Sequence, residues 1–187
     1  MSNLTFEGSP VPLYVDLDGT LIATDLLHES LLQLVRSSPR SLLSIPSWVV
    51  QGKSAFKRKV ALHVDIDVAT LPYRPAVLEF IRSARTAGCR VVLATASDAE
   101  FARQVADHLG LFDAVLASDG LINMRGAAKL KAIQDDAGGV PFCYAGDSTV
   151  DLAVWRGAAA AVVVSRSRSL VERAARLTKI DAVIEPP

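Results

Sequence analysis

The stretch Val11-Pro12-Leu13-Tyr14-Val15-Asp16-Leu17-Asp18-Gly19-Thr20-Leu21 opens on nearly continuous apolar residues and ends in two carboxylates and a glycine. An apolar run that does not alternate is the pattern of a strand buried on both faces, as parallel strands covered by helices are. Residues 11–15 are therefore read as a strand, and four more such runs follow at 90–94, 114–117, 141–145 and 160–164. Helical patterns fill 75–87, 99–109 and 127–136, and Gly88, Gly110 and Gly138 beyond them suit helix C-caps. Alternating strand and helix predict an α/β fold built on a doubly wound parallel sheet.

The first crossover breaks this rhythm, because the helix near Pro75 begins far beyond Val15. A small helical cap inserted into the core accounts for the gap. The expected division is a core of residues 1–23 and 75–187 and a cap of residues 24–74, with helices at 25–36, 40–51 and 53–63 punctuated by Ser37-Ser38-Pro39 and Gly52. The cap's Leu26, Leu27, Leu31, Leu32, Leu34 and Val35 form an apolar stripe wider than one packing face needs. Such a stripe serves the cap's own core, an apolar substrate pocket or a partner surface. Lys53, Lys57, Arg58 and Lys59 make a basic cluster that reads as a solvated face or as a clamp on an anionic substrate.

Composition narrows the function classes. Half of the 187 residues are hydrophobic, which excludes a disordered chain. Twenty Lys+Arg balance twenty Asp+Glu, so the global field that draws a protein to nucleic acid is missing, and no nucleic-acid partner is expected. Two cysteines, Cys89 and Cys143, cannot make a disulfide framework and point to a reducing, cytoplasmic setting. The start of the chain has no secretory pattern, and its apolar runs are too short to span a bilayer, so no transmembrane segment is expected.

The chemistry-bearing residues fall at strand ends. Asp16 and Asp18 follow the first strand and share a side of an extended backbone, at the sheet edge where α/β proteins bind ligands. A polar turn closing a strand explains the same string equally well. Thr95 ends the strand 90–94, while Ser97 and Asp98 are better placed to cap the next helix. Gly146-Asp147-Ser148-Thr149-Val150-Asp151 puts two carboxylates at another strand-to-helix turn, where capping accounts for either one alone. Lys129 lies near a helix start, where the dipole disfavours a cation.

Taken in order, Asp16-Leu17-Asp18-Gly19-Thr20, Thr95, Lys129 and Gly146-Asp147-x-x-x-Asp151 resemble the four motifs of the haloacid dehalogenase superfamily of phosphohydrolases. The resemblance implies a Rossmann-like core, subfamily I with a C1-type helical cap, an aspartate nucleophile at Asp16, an acid/base at Asp18, and one Mg²⁺ ion. The implied metal ligands are Asp16, the Asp18 backbone carbonyl and Asp147, with Asp151 behind them; Thr95 and Lys129 would hold phosphoryl oxygens. This assignment meets the needs of phosphoryl transfer, which are an in-line nucleophile, neutralised equatorial oxygens and a proton for the leaving group. A small phosphorylated molecule is the expected substrate.

Dehalogenating members, as the resemblance implies, lack the second aspartate that this chain keeps as Asp18. Phosphatase therefore ranks above phosphotransferase, and both above dehalogenase. The rival from another class is a catalytically silent domain of this fold that binds through its cap; four converging carboxylates weigh against it, since they repel without a cation. A finer resemblance links Leu71-Pro72-Tyr73-Arg74-Pro75, Leu93-Ala94-Thr95-Ala96-Ser97-Asp98, Leu109-Gly110-Leu111-Phe112-Asp113 and Ala145-Gly146-Asp147-Ser148 to the domain found fused to UbiA-type prenyltransferases. It implies a lipid-linked phosphate as one substrate class.

Overall fold

The computed structural model describes residues 4–6, 9–25, 47, 50, 67–119 and 123–186. A short hairpin of β1 (Thr5–Phe6) and β2 (Ser9–Pro10) leads into β3 (Leu13–Val15). Then come α1 (Pro75–Thr86), β4 (Val91–Asp98), α2 (Ala99–Leu109), β5 (Ala114–Ser118), α3 (Ala127–Ala137), β6 (Cys143–Gly146), α4 (Leu152–Trp155), β7 (Ala160–Val164), α5 (Arg168–Ala175) and β8 (Lys179–Ile184). Six strands form one sheet in the order β5-β4-β3-β6-β7-β8, and every pairing in it is parallel. The doubly wound α/β architecture is as expected.

Alternation along each strand explains the continuous apolar runs. Leu13 and Val15 enter one hydrophobic core with Val77 and Ile81 of α1 and Phe101 and Val105 of α2, whereas Tyr14 turns to the other face with Ile133 of α3, Trp155 of α4 and Leu170 of α5. Helices cover both faces, so both sets of side chains are largely apolar. The first strand is shorter than 11–15 because Pro12 has no N–H to give, although its carbonyl accepts from Cys143 N at 2.9 Å. In contrast, β4 runs past the expected 90–94 to Asp98, with a register shift between Ala94 and Asp98. Asp98 caps α2 by accepting from Glu100 N at 3.0 Å.

Cap helices 25–36, 40–51 and 53–63, and the basic cluster Lys53, Lys57, Arg58 and Lys59, lie outside the described residues apart from Asp25, Ser47 and Val50. No helix among the described residues is long and apolar enough to cross a membrane.

The far end of α3 is pinned to the sheet. Asp136 accepts from the Tyr14 hydroxyl at 2.7 Å and from both terminal nitrogens of Arg90, at 2.5 and 3.1 Å. The Arg90 hydrogen bonds, against the opposing pull of burial, hold the Asp136 carboxyl below the usual carboxylate range. A depressed carboxylate stabilises the fold above its unfolded pKa, and that contribution disappears as pH falls through its folded value. Arg90 is partly solvated, so Asp136→Asn is expected to cost only about 1 kcal/mol at pH 7. Urea titrations at pH 7 and pH 3 check this: the deficit should shrink at the lower pH.

Candidate active site

The strand order reverses between β3 and β6, with β4 and β5 laid down on one side of β3 and β6 to β8 on the other. Chain leaving two strands in opposite directions opens a crevice beyond their C-terminal ends. Asp16 follows β3 there, its N–H donating to Ala145 O at 3.0 Å, and Asp147 follows β6. The two carboxylates come together because the strands that precede them are neighbours in register, with Val15 opposite Ala145.

Beyond Asp16 the chain doubles back. Gly19 has φ +75°, and a Cβ at this position would lie 2.3 Å from Asp147 Oδ2. No other residue type allows both the left-handed backbone and that approach. Arg74 fixes the return, its Nε donating to Gly19 O at 3.0 Å and its backbone N–H to Leu21 O at 2.9 Å.

A buried polar network fills the crevice floor. Asp16 Oδ1 accepts from Leu17 N at 2.9 Å and from Lys129 Nζ at 2.8 Å. Lys129, only 3% exposed, also donates to the Tyr144 hydroxyl at 2.9 Å, which donates to Asp151 Oδ1 at 2.8 Å. Asp151 Oδ2 accepts from Ser148 Oγ at 2.9 Å, Ser148 N at 3.0 Å and Asp147 N at 3.2 Å. Asp147 Oδ1 accepts from the Thr20 hydroxyl at 3.2 Å, and Asp18 Oδ2 from the Ser97 hydroxyl at 2.5 Å. Lys129 thus sits near a helix start because a buried carboxylate awaits it, which outweighs the dipole.

Burial raises the Asp16 carboxyl to about 7, opposed by Lys129 and reinforced by the Asp151 and Asp18 charges. Asp147 is raised to about 6 by burial and then by Asp151. Asp16, Asp147 and Asp151 each offer a carboxylate oxygen, and these oxygens lie within 4.8 Å of one another. Three acids sharing one buried ammonium are under-neutralised, and their hard oxygen donors fit a divalent cation such as Mg²⁺.

Asp16, Asp18, Lys129, Asp147 and Asp151 line one cleft of about 440 Å³. Thr95 stands apart: it is fully buried, its hydroxyl accepts from Ser97 N at 2.9 Å, and it is the next residue, Ala96, that lines the cleft. Thr95 and Ser97 both lie where the register of β4 against β5 shifts, between Ala94 and Asp98, and it is Ser97 that meets Asp18. Tyr144, Ser97, Asn123 and Arg125 were not among the residues predicted for the site. Of these, only Tyr144 leaves a trace in the sequence, as a hydroxyl within an otherwise apolar run.

The comparisons with known proteins bear on this arrangement. A model of the family described as haloacid dehalogenase-like hydrolase matches residues 13–156. A protein of Sinorhizobium fredii (strain NBRC 101917 / NGR234), named uncharacterized protein y4nM, is 42% identical over 157 residues, which are 82% of this chain. The chain spans 30% of the length of that relative. Among solved structures, a substrate-bound phosphoserine phosphatase complex is 14% identical with a TM-score of 0.62, over 94% of this chain and 93% of that one. A phospho-aspartyl intermediate analogue of phosphoserine phosphatase is 15% identical with a TM-score of 0.59, over 93% and 92%. At such identities the likeness is one of fold. With a family match that runs from β3 through α4 and takes in every carboxylate of the cleft, the chain belongs to the haloacid dehalogenase-like hydrolases.

Proposed function

We propose that the protein is a Mg²⁺-dependent phosphohydrolase that cleaves a phosphate monoester through an aspartyl-phosphate on Asp16. The observation that carries this reading is the buried ion pair between Asp16 and Lys129 beside two further carboxylates at the switch point of the sheet. A solved phospho-aspartyl analogue in a protein of this fold supports the covalent route.

A carboxylate oxygen of Asp16 attacks phosphorus as the ester P–O bond breaks, and the departing alkoxide takes a proton from Asp18. Asp18, held by the Ser97 hydroxyl, then removes a proton from water, whose oxygen attacks phosphorus and releases phosphate from Asp16. Lys129 bears on the phosphoryl oxygens from the crevice floor. Asp16, the Asp18 carbonyl and Asp147 would hold the metal. Asp151 stands behind them, since its oxygens already accept from Tyr144, Asp147 N and Ser148. When bound, Mg²⁺ neutralises the carboxylates and the charge on the phosphoryl group.

The substrate is a small phosphorylated molecule, and a panel to define it should include phosphoserine and polyprenyl phosphates. Hydrolysis of p-nitrophenyl phosphate with Mg²⁺, and its loss with EDTA, tests the class of reaction; no turnover of any ester in the panel would overturn it. Asp18→Asn tests the proton transfer. It should slow alkyl phosphates about 100-fold or more, and p-nitrophenyl phosphate much less, because nitrophenolate leaves without a proton. Equal slowing of both esters removes the acid role from Asp18.

A further inference from the structure

Tyr144 lies within the fully buried strand β6, and its hydroxyl ends between two opposite charges, Lys129 Nζ at 2.9 Å and Asp151 Oδ1 at 2.8 Å. An ammonium can only donate, so the phenol oxygen accepts from Lys129 and its single proton goes to Asp151. Burial, then the Asp151 and Asp16 charges, push the phenol well above its ordinary pKa and keep that proton in place. The ring is held from the side by Trp155, edge-on with centroids 6.4 Å apart, whose indole Nε1 donates to Tyr144 O at 3.0 Å. Neither contact involves the hydroxyl.

Lys129 therefore stands between two buried anions and forms its ion pair with one, Asp16, at 2.8 Å. We infer that Tyr144 is a positioning residue: its hydroxyl stands between Lys129 and Asp151, so that the ammonium pairs with Asp16 while Asp151 secures the turn after β6. The inference rests on the phosphohydrolase reading and adds to it a residue that acts through Lys129. Without the hydroxyl, Asp151 Oδ1 loses its donor and Lys129 an acceptor. Direct pairing of the two satisfies both at once in a medium of low dielectric, and it draws Nζ off Asp16.

The test is Tyr144→Phe in the full chain, assayed with p-nitrophenyl phosphate at saturating Mg²⁺. Phenylalanine keeps the ring, so the melting temperature should stay within about 4 °C of wild type. The expected kcat is about 10- to 100-fold lower, the usual loss when a group that orients a site residue is removed, with KM changed less than about threefold. In an Asp151→Asn background, where the competing charge is gone, the same change should lower kcat less than about threefold. An unchanged kcat in Tyr144→Phe, or an equal loss in both backgrounds, overturns the inference. A large fall in melting temperature overturns it too, in favour of a packing role. A wild-type protein that hydrolyses no phosphate ester sinks the phosphohydrolase reading itself, and this inference with it.

Discussion

Asp16→Asn is expected to fold, to occupy the same place in the cleft, and to lose on the order of 10⁴-fold or more of its turnover, the scale seen when a covalent nucleophile is removed. The fold survives because the amide oxygen can still accept from Leu17 N and Lys129 Nζ, the two donors that fix the carboxylate. The chemistry fails because an amide is a poor nucleophile and cannot form the acyl phosphate. Single-turnover hydrolysis of p-nitrophenyl phosphate, beside a thermal melt of the same sample, separates the two effects. Turnover above about 1% of wild type in a well-folded variant would remove Asp16 from the reaction.

Lys129→Met should have the largest effect on stability. The lysine and its Asp16 partner are both buried, with side chains only 4% and 12% exposed. Removing one partner of a buried pair strands the other charge, which typically costs about 3–5 kcal/mol. Here the loss also takes a hydrogen bond from Tyr144 and leaves Asp16, Asp147 and Asp151 to repel one another unopposed. Melting in EDTA should show the full deficit. Millimolar Mg²⁺ should recover part of it, because a cation that binds only the native state stabilises that state by mass action. Turnover should fall about 100-fold, as when one donor to a developing oxyanion is lost. A variant that melts with wild type in EDTA would show that the ion pair contributes nothing.

What could be read in the sequence follows from how local each signal is. β7 and α2 were predicted to the residue, since each is bounded by its own chemistry: an apolar run for one, Asp98 and Gly110 for the other. β8 was not predicted. Its Lys179 and Asp181 interrupt the apolar pattern, as an edge strand with one open side permits. Asp16 and Asp147 were legible because each directly follows a run of strand residues, with Asp18 and Asp151 a short step beyond them. Thr95 has a similar sequence context yet is fully buried, its hydroxyl taken up by Ser97 N, in a stretch where the β4–β5 register shifts. Tyr144 and Ser97 gain their partners only through the fold, Lys129 from α3 for one and Asp18 from beyond β3 for the other.

The central position of β3 has a temporal side. Its residues pair on one side with Val91–Leu93 and on the other with Cys143–Ala145, so the earliest strand of the six-stranded sheet is completed by strands made long afterwards. At about 5–20 residues per second, roughly ten seconds of synthesis separate Asp16 from Asp147. Throughout that interval Asp16 has no Asp147 beside it, and closing so long a loop must precede any contact that rewards it. The cleft is consequently assembled only when β6 reaches β3, and until then a growing chain carries Asp16 and Asp18 without the carboxylate that follows β6.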